Sequence, residues 1–125
     1  MPLRTVTTPA APRPVAAYSQ AVVAGGVLYT AGQIGIDPAT GKIVEGLEAQ
    51  VERALENIRA VLAAEGLTLA NAVKFTLFVT DLSRFATINA IYEKFLGDHR
   101  PARTTVGVGT LPGGALFEVD AIAVL

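Results

Sequence analysis

The sequence predicts an α+β fold, in which a single β-sheet carries two helices packed on one of its faces. Apolar residues recur at steps of three and four in two segments, which is typical of amphipathic helices. In a third segment they alternate with polar residues, as in a strand with one apolar face. The 125 residues show no internal repeat or linker, which indicates one domain spanning 1–125.

The predicted elements follow the order β-β-α-β-α-β-β. Residues 21–23 and 27–31 are short apolar runs separated by Gly25-Gly26, which predicts a hairpin because glycine supplies the positive φ of a tight turn. The segment before them is rich in proline and is predicted to be extended and irregular. A turn over 37–41 leads to the first helix, which ends near Gly66. Its apolar stripe is Leu47, Val51, Leu55, Ile58 and Leu62.

The second half alternates strand and helix. Residues 72–80 read as a strand with Val73, Phe75, Leu77 and Val79 on one face. Asp81 or Ser83 can cap the second helix, and Gly97 ends it. The buried stripe of this helix is predicted to be Phe85, Ile88, Ile91 or Tyr92, and Phe95. Residues 103–109 and 116–125 form the last two strands.

The composition indicates that part of the surface is covered by another chain. Hydrophobic residues make up 51% of the sequence and charged residues only 17%, against about a quarter in ordinary globular proteins. The mean hydropathy is +0.46. The last strand has apolar residues on both faces, yet the two helices cover only one face of the sheet. Self-association through the other face is the simplest cover.

Several function classes are excluded or disfavoured by composition. A net charge of −1 without a basic run disfavours partnership with nucleic acid or an anionic membrane. The absence of cysteine excludes disulfide and thiolate chemistry, and one histidine cannot build a histidine-rich metal site. No apolar run is long enough to span a membrane, and residues 1–14 lack the apolar core of a signal peptide. We therefore expect a cytoplasmic protein.

Two charged residues in apolar strands are the main candidates for chemistry. Arg103 opens one strand and needs an anionic partner, whether a nearby acid or a ligand. Glu118 lies in the last strand on the same face as Asp120. Glu118 could pair with Arg103 from a neighbouring strand, or it could activate a water molecule, and both roles are compatible.

Other candidates are weaker. Gly32 follows a strand and could expose backbone N–H groups to a ligand, although an ordinary turn is the simpler interpretation. Tyr18 could belong to the core or to a ligand wall. His99 is interpreted as a partner of the helix C-terminus, and Asp37 as a turn residue. The sequence has no phosphate loop, zinc spacing or serine-histidine-acid order.

Sequence blocks along nearly the whole chain resemble one known family. Pro-Ala-Arg-Thr-Thr-Val at 101–106, Leu-Pro at 111–112 and Phe-Glu-Val-Asp-Ala-Ile-Ala at 117–123 resemble the C-terminal signature of the YjgF/RidA family of reactive-intermediate deaminases. Similar blocks occur at 17–20, 31–34, 37–41 and 85–92. The resemblance implies a chorismate-mutase-like subunit that assembles as a homotrimer, with sheets facing inward and three clefts between subunits.

The resemblance also implies a reaction. Family members hydrolyse 2-imino acids, which arise from enamines such as 2-aminoacrylate, to 2-keto acids and ammonia without a metal or an organic cofactor. By similarity, Arg103 would bind the substrate carboxylate and Glu118 would position or deprotonate the attacking water. Tyr18 would wall the pocket, the backbone near Gly32 would touch the substrate, and Asn89 would lie near the cleft.

Three positions depart from the family pattern. Thr105, expected among the substrate contacts, stands where many members have cysteine. Ala31 stands where many have serine, and Arg100 where some deaminases have an apolar residue. These departures affect the shape of the pocket and therefore substrate preference.

Alternative functions remain open at this point. A non-catalytic trimer that binds small carboxylates would need Arg103 but not Glu118. A hydrolase of a related enamine or carbamate-like intermediate would need both. The lack of a basic patch disfavours a nuclease, and a chorismate mutase would rest on fold analogy alone.

Overall fold

A computed structural model describes residues 2–125 of the chain, and Met1 lies outside the described residues. The strands are β1 (Arg4–Val6), β2 (Ala21–Ala24), β3 (Val27–Thr30), β4 (Gln33–Ile34), β5 (Ile36–Asp37), β6 (Lys42–Ile43), β7 (Ala72–Val79), β8 (Ala102–Gly107) and β9 (Phe117–Val124). The helices are α1 (Leu47–Ala63) and α2 (Phe85–Leu96), and short 3₁₀ turns occupy Leu69–Asn71, Leu82–Arg84 and Pro112–Gly114.

The main sheet is mixed, with the strand order β1-β2-β3-β9-β7-β8. Strand β4 also pairs with β9, beyond the point where β3 stops. Strands β7 and β8 are parallel, and α2 provides the crossover between them. The α+β class and the two helices are therefore confirmed. The main sheet is larger than predicted, because β1 and β4 join the five predicted strands. Strands β5 and β6, which were not predicted, form a separate two-stranded ribbon.

Helix α1 covers the centre of the sheet. Val51, Leu55, Ile58 and Leu62 of the predicted stripe are 0% exposed, whereas Leu47 is partly buried. The chain leaves the helix through Gly66, whose φ of 72° is the left-handed conformation expected of a helix stop.

Two buried polar residues on α1 connect the helix to the sheet edge. The Oε1 atom of Gln50 accepts a bond from the backbone N–H of Leu116 at 2.8 Å. The amide of Asn57 donates to the carbonyl oxygens of Ile34 and Ile36, at 3.2 and 2.9 Å. These bonds satisfy backbone groups where the ladder is interrupted.

Helix α2 packs beside α1. Asp81 caps the 3₁₀ turn that leads into α2, because its carboxylate accepts a bond from the N–H of Ser83 at 3.0 Å. Ile88, Tyr92 and Leu96 are the buried residues of the helix. Phe85 and Phe95 of the predicted stripe are only partly buried. Gly97 ends the helix with a φ of 61°.

The alternation predicted for β7 was wrong at its first residue. A bulge between Ala72 and Lys74 shifts the register, so that Ala72 is buried and Val73 is 45% exposed. Beyond the bulge, Phe75, Leu77 and Val79 face the helices at 0% exposure, as predicted.

The two faces of the sheet differ in what covers them. The face toward the helices carries the core, and its neighbours on β9 are Phe117, Val119, Ala121 and Ala123. No helix of the described chain covers the opposite side, which we call the open face. Register places on it Lys74, Thr76, Phe78, Thr104, Val106, Glu118, Asp120, Ile122 and Tyr29. Within residues 2–125, no helix is long and apolar enough to cross a membrane.

Candidate functional site

Glu118 lies on the open face, beside the break between β3 and β4. Residues Ala31 and Gly32 interrupt the pairing with β9 at this point, because β3 ends at Thr30 and β4 begins at Gln33. The Thr30 hydroxyl fills part of the gap by accepting a bond from the N–H of Ala121 at 2.9 Å.

The break leaves room for the Glu118 carboxylate. A Cβ built on Gly32 would stand only 2.1 Å from Oε2 of Glu118 and 2.9 Å from its Cδ. Any other residue at 32 would therefore displace the carboxylate or the backbone. The sequence suggested that Gly32 could expose backbone N–H groups to a ligand. The structure gives this glycine a different role, because it leaves room for the Glu118 side chain.

A cavity of about 290 Å³ surrounds this carboxylate, and we call it the glutamate pocket. Its walls are mainly apolar and include Tyr18, which is 50% exposed, and Gly32. The remaining lining residues are Pro12, Arg13, Val15, Ala31, Gln33, Ile34, Ile36, Pro112 and Glu118. The structure thus brings together three of the predicted site residues, Tyr18, Gly32 and Glu118.

The N-terminal arm forms one wall of this pocket and is held by a residue that the sequence reasoning missed. The buried side chain of Gln20 accepts a bond from the N–H of Thr8 at 2.7 Å. Its amide donates to the carbonyl oxygens of Thr8, Ala11 and Pro12, at 3.0, 3.2 and 2.9 Å. The sequence signal available for this role was a glutamine next to a proline-rich segment. If such a glutamine is buried, its amide must find hydrogen-bond partners, and the backbone of that segment supplies them.

Electrostatics favour protonation of the carboxyl groups on this face. Burial raises the pKa of Glu118, and the negative charge of Asp120 raises it further. Burial also raises the pKa of Asp120, while a hydrogen bond from Thr76 and the charge of Lys74 oppose that shift. A carboxylate whose pKa is raised is a stronger base than an exposed glutamate.

Arg103 lies in a second cavity, of about 210 Å³, on the helix side of the sheet. We call this cavity the arginine pocket; its lining residues are Asn89, Tyr92, Glu93, His99, Arg100, Pro101 and Arg103. The Nη1 atom of Arg103 donates to Oδ1 of Asn89 at 2.8 Å. The guanidinium carbon lies 4.8 Å from the ring centroid of Tyr92 and 5.3 Å from that of Phe85. These contacts fix the guanidinium plane.

The loop after α2 forms the outer wall of the arginine pocket. The Nε2 atom of His99 lies 2.7 Å from the carbonyl oxygen of Ala72, so this nitrogen is the donor. His99 therefore ties the loop to the start of β7, and its interpretation as a helix-dipole partner was wrong. Tyr92, read from the sequence as a possible core residue, is both buried and part of the pocket lining.

The predicted pairing of Arg103 with Glu118 within one chain was wrong. Strand β7 lies between β8 and β9, so the two residues are not on neighbouring strands. Arg103 is in register with Phe75, on the helix side, whereas Glu118 is in register with Phe78, on the open face. The sheet separates the two side chains, and neighbouring strands could not be identified from chain order alone.

Arg103 and its neighbourhood contain groups without protein partners. The ion pairs within residues 2–125 are Arg4–Glu65 and Arg59–Glu56, so Arg103 has no carboxylate partner there. The hydroxyls of Tyr92 and Thr105 are buried without a hydrogen-bond partner among the same residues. Thr105 lies two residues beyond Arg103 on the same side of β8. Burying such a hydroxyl without a partner costs about 1–3 kcal/mol.

The described residues contain no cluster of histidine, cysteine, aspartate and glutamate that could hold a metal ion. The two cavities described above each contain one charged candidate residue, Arg103 in the arginine pocket and Glu118 in the glutamate pocket.

Comparison with known proteins gives the family. The family model described as Endoribonuclease L-PSP matches residues 8–125. The chain belongs to this family, which is also called YjgF/RidA.

Close relatives of this family cover nearly the whole chain. A RutC family protein of Aquifex aeolicus is 47% identical, over 98% of this chain and 99% of the relative. A 2-iminobutanoate/2-iminopropanoate deaminase of Salmonella typhimurium is 44% identical, over 97% of each chain. The crystal structure of RidA from the Antarctic bacterium Psychrobacter sp. PAMC 21119 superposes with a TM-score of 0.95 at 42% identity, over 98% of this chain and 99% of that one. The resemblance read from the sequence blocks is thereby confirmed.

Within the YjgF/RidA fold, the predicted site residues fall into two groups. Tyr18, Gly32 and Glu118 belong to the glutamate pocket, and Asn89 and Arg103 belong to the arginine pocket. Thr105 lines neither cavity, although its buried hydroxyl lies on the Arg103 side of the sheet.

Proposed function

We propose that the protein is an imine deaminase that hydrolyses small 2-imino acids, such as 2-iminopropanoate derived from 2-aminoacrylate, to 2-keto acids and ammonia. The observation that carries this proposal is the pair of prepared groups. The Arg103 guanidinium is oriented by Asn89 and Tyr92 without a carboxylate partner in residues 2–125. The Glu118 carboxylate is seated over Gly32 with a raised pKa. Relatives named 2-iminobutanoate/2-iminopropanoate deaminase, at 44% and 41% identity, support the reaction class.

Two chains would contribute to each site. One chain holds Arg103 and Glu118 on opposite faces of its sheet, so a small substrate cannot touch both groups of the same chain. Strand β8 is the edge strand, and the arginine pocket therefore opens at the margin of the sheet. A neighbour that placed its glutamate pocket against this margin would complete the site.

We propose a homotrimer as the assembly. Contact between two different patches is heterologous, and such contacts form a ring when the rotation between neighbouring chains closes. The exposed apolar residues of the open face, among them Tyr29, Val106 and Val124, are 47%, 36% and 42% exposed in the single chain and would be covered in the ring. The number of three chains comes from the resemblance to the YjgF/RidA family, which implies a homotrimer. Light scattering should give the mass of three chains at micromolar concentration, and the mass of a single chain would contradict the proposal.

In the proposed mechanism, Arg103 forms a bidentate contact with the substrate carboxylate. The imine carbon is already electrophilic, so no metal or organic cofactor is invoked. The Glu118 carboxylate takes a proton from water as the oxygen bonds to the imine carbon, and returns that proton to the nitrogen, giving a carbinolamine. The same carboxylate then moves the hydroxyl proton of the carbinolamine to the nitrogen, the C–N bond breaks, and ammonia leaves as the carbonyl forms.

Glu118→Gln tests the catalytic role. The substitution keeps the size of the side chain but removes the basic oxygen, so the acceleration of pyruvate formation from 2-aminoacrylate should fall by about 10²–10⁴. Affinity for 2-oxobutanoate should stay close to that of the parent protein. Glu52→Gln, an exposed carboxylate on α1, is the matched control.

Two outcomes would count against the proposal. An intact Glu118→Gln assembly with undiminished turnover would remove Glu118 from catalysis. A parent protein that binds 2-keto acids but accelerates no imine hydrolysis would favour a carboxylate-binding trimer instead. Thermal unfolding of each variant separates lost chemistry from lost stability.

A ribonuclease activity, suggested by the family description, is less well supported by this chain. Its net charge is −1, and the cavity that holds Glu118 has mainly apolar walls with Arg13 as its one basic residue among those described. Binding to RNA depends on neutralising phosphates with several basic side chains.

A further inference from the structure

A second arginine borders the arginine pocket, and the proposed reaction gives it no role. Arg100 lines the same cavity as Arg103. Burial raises the pKa of Tyr92, which lines this cavity too, and the positive charges of both arginines oppose that rise. Both arginines therefore border one small cavity that includes Tyr92.

Arg100 is held in place by the chain itself. Its Nη1 atom donates to the carbonyl oxygens of Gly97 and His99, at 2.7 and 2.9 Å. His99 is in turn anchored to the carbonyl oxygen of Ala72. The guanidinium has five N–H donors, and these two contacts engage only one of its nitrogens. The remaining donors are not bonded within residues 2–125.

Neither guanidinium is neutralised by an acid of the described chain. The ion pairs of residues 2–125 involve neither Arg100 nor Arg103. Glu93 borders the cavity, but it is exposed and forms no ion pair with either arginine. The two arginines border a cavity of about 210 Å³, so a monocarboxylate bound to Arg103 leaves Arg100 without a carboxylate in contact with it.

We infer that the arginine pocket selects 2-imino acids that carry a second carboxylate in the side chain, with Arg103 binding the carboxylate next to the imine and Arg100 binding the distal one. This inference rests on the proposed deaminase function and names its substrate class. Such imines are formed when an amino group of an acidic amino acid is oxidised, so the supplying reaction is an oxidation of a dicarboxylic amino acid.

Binding of the corresponding keto acids tests the inference without turnover. We expect 2-oxoglutarate or oxaloacetate to bind the full protein more tightly than 2-oxobutanoate, as measured by calorimetry. In Arg100→Gln, the ratio of dicarboxylate to monocarboxylate affinity should fall about five- to tenfold, since one partly exposed charge-assisted contact is lost. Lys94→Gln removes the same charge from the exposed surface of α2 and should leave the ratio unchanged.

The variant Glu93→Gln distinguishes a ligand-binding role of Arg100 from a purely structural one. Removing this carboxylate from the rim should raise the preference for the dicarboxylate, which a merely structural role of Arg100 at the end of α2 would not predict. Equal affinities for mono- and dicarboxylates in the parent protein, or an unchanged ratio in Arg100→Gln, would overturn the inference. A change in assembled mass in Arg100→Gln with no change in the ratio would also overturn it and place Arg100 at an interface between chains.

Turnover distinguishes this inference from the proposed function. Imines generated by an amino-acid oxidase from glutamate and from 2-aminobutanoate should both be hydrolysed faster in the presence of the protein, the first with the higher kcat/KM. Acceleration of the monocarboxylic imine alone would overturn the inference and keep the deaminase. Acceleration of neither imine would contradict the deaminase, and the ratio of keto-acid affinities would still decide the role of Arg100.

Discussion

On the central strands β7 and β9, the two faces of the sheet carry different kinds of side chain. On the helix side of the central strands, Phe75, Leu77 and Val119 are fully buried and belong to the hydrophobic core. On the open face, one residue along in each strand, Thr76, Glu118 and Asp120 are partly buried and polar. The alternation of a strand therefore places stability and chemistry on adjacent residues, and substitutions one position apart should have different consequences.

The largest effect should come from the helix side. Phe75→Ala removes a fully buried ring that meets Tyr92 edge-to-face at 5.6 Å, and should lower the free energy of unfolding by about 3–5 kcal/mol. Val73→Ala, at the bulge, should cost less than about 1 kcal/mol, since Val73 is 45% exposed. Urea denaturation measures both. If Val73→Ala lowered the free energy of unfolding as much as Phe75→Ala, Val73 would be buried and the predicted alternation, without the bulge, would be right.

A smaller effect, on the affinity for keto acids, is expected from Arg103 in the arginine pocket. Arg103→Lys replaces a planar fork with a point charge and should weaken 2-oxobutanoate binding by about tenfold or more. The positive charge is retained, so long-range attraction alone predicts little change. Calorimetry on Arg103→Lys and on Arg84→Lys, at an exposed position before α2, separates the two explanations. Equal affinity in both variants would assign the Arg103 guanidinium a structural role.

The smallest predicted effect concerns pH. Asp120 raises the pKa of Glu118, so Asp120→Asn should lower that pKa. A general base is active when ionised, and activity is lost as pH falls through its pKa. The acid limb of the kcat/KM profile should therefore move to lower pH, by less than about one unit because the charges are partly screened. A shift to higher pH, or the same shift in Glu52→Gln, would contradict this coupling.

Much of the fold could be predicted because it depends on local patterns. The spacing of Leu55, Ile58 and Leu62 defines α1, and Gly66 and Gly97 mark the ends of both helices. The bulge at Val73 could not be read from the sequence, because an apolar residue there fits the alternation whether or not it is buried. Strand β1 was missed because its stability comes from pairing with β2 rather than from its own sequence.

The candidate site residues could be selected by residue type, but their arrangement could not be predicted. Arg103 and Glu118 were recognisable as charges within apolar strands. Their separation depends on β7 entering the sheet between β8 and β9, which is a property of the topology. The contributions of Tyr92 and Arg100 to one pocket likewise depend on how α2 and the following loop pack against β8. Only the folded chain brings such residues together.

Subunit mixing tests whether each site combines Arg103 of one chain with Glu118 of another. Arg103→Gln and Glu118→Gln proteins should each be nearly inactive alone. After joint refolding in equal amounts, about a quarter of the heterologous interfaces would pair an intact arginine with an intact glutamate. We predict that imine deaminase activity returns to about that fraction of the parent level. Mixed assemblies that form but stay inactive would contradict the claim, because they would show that both residues must come from the same chain.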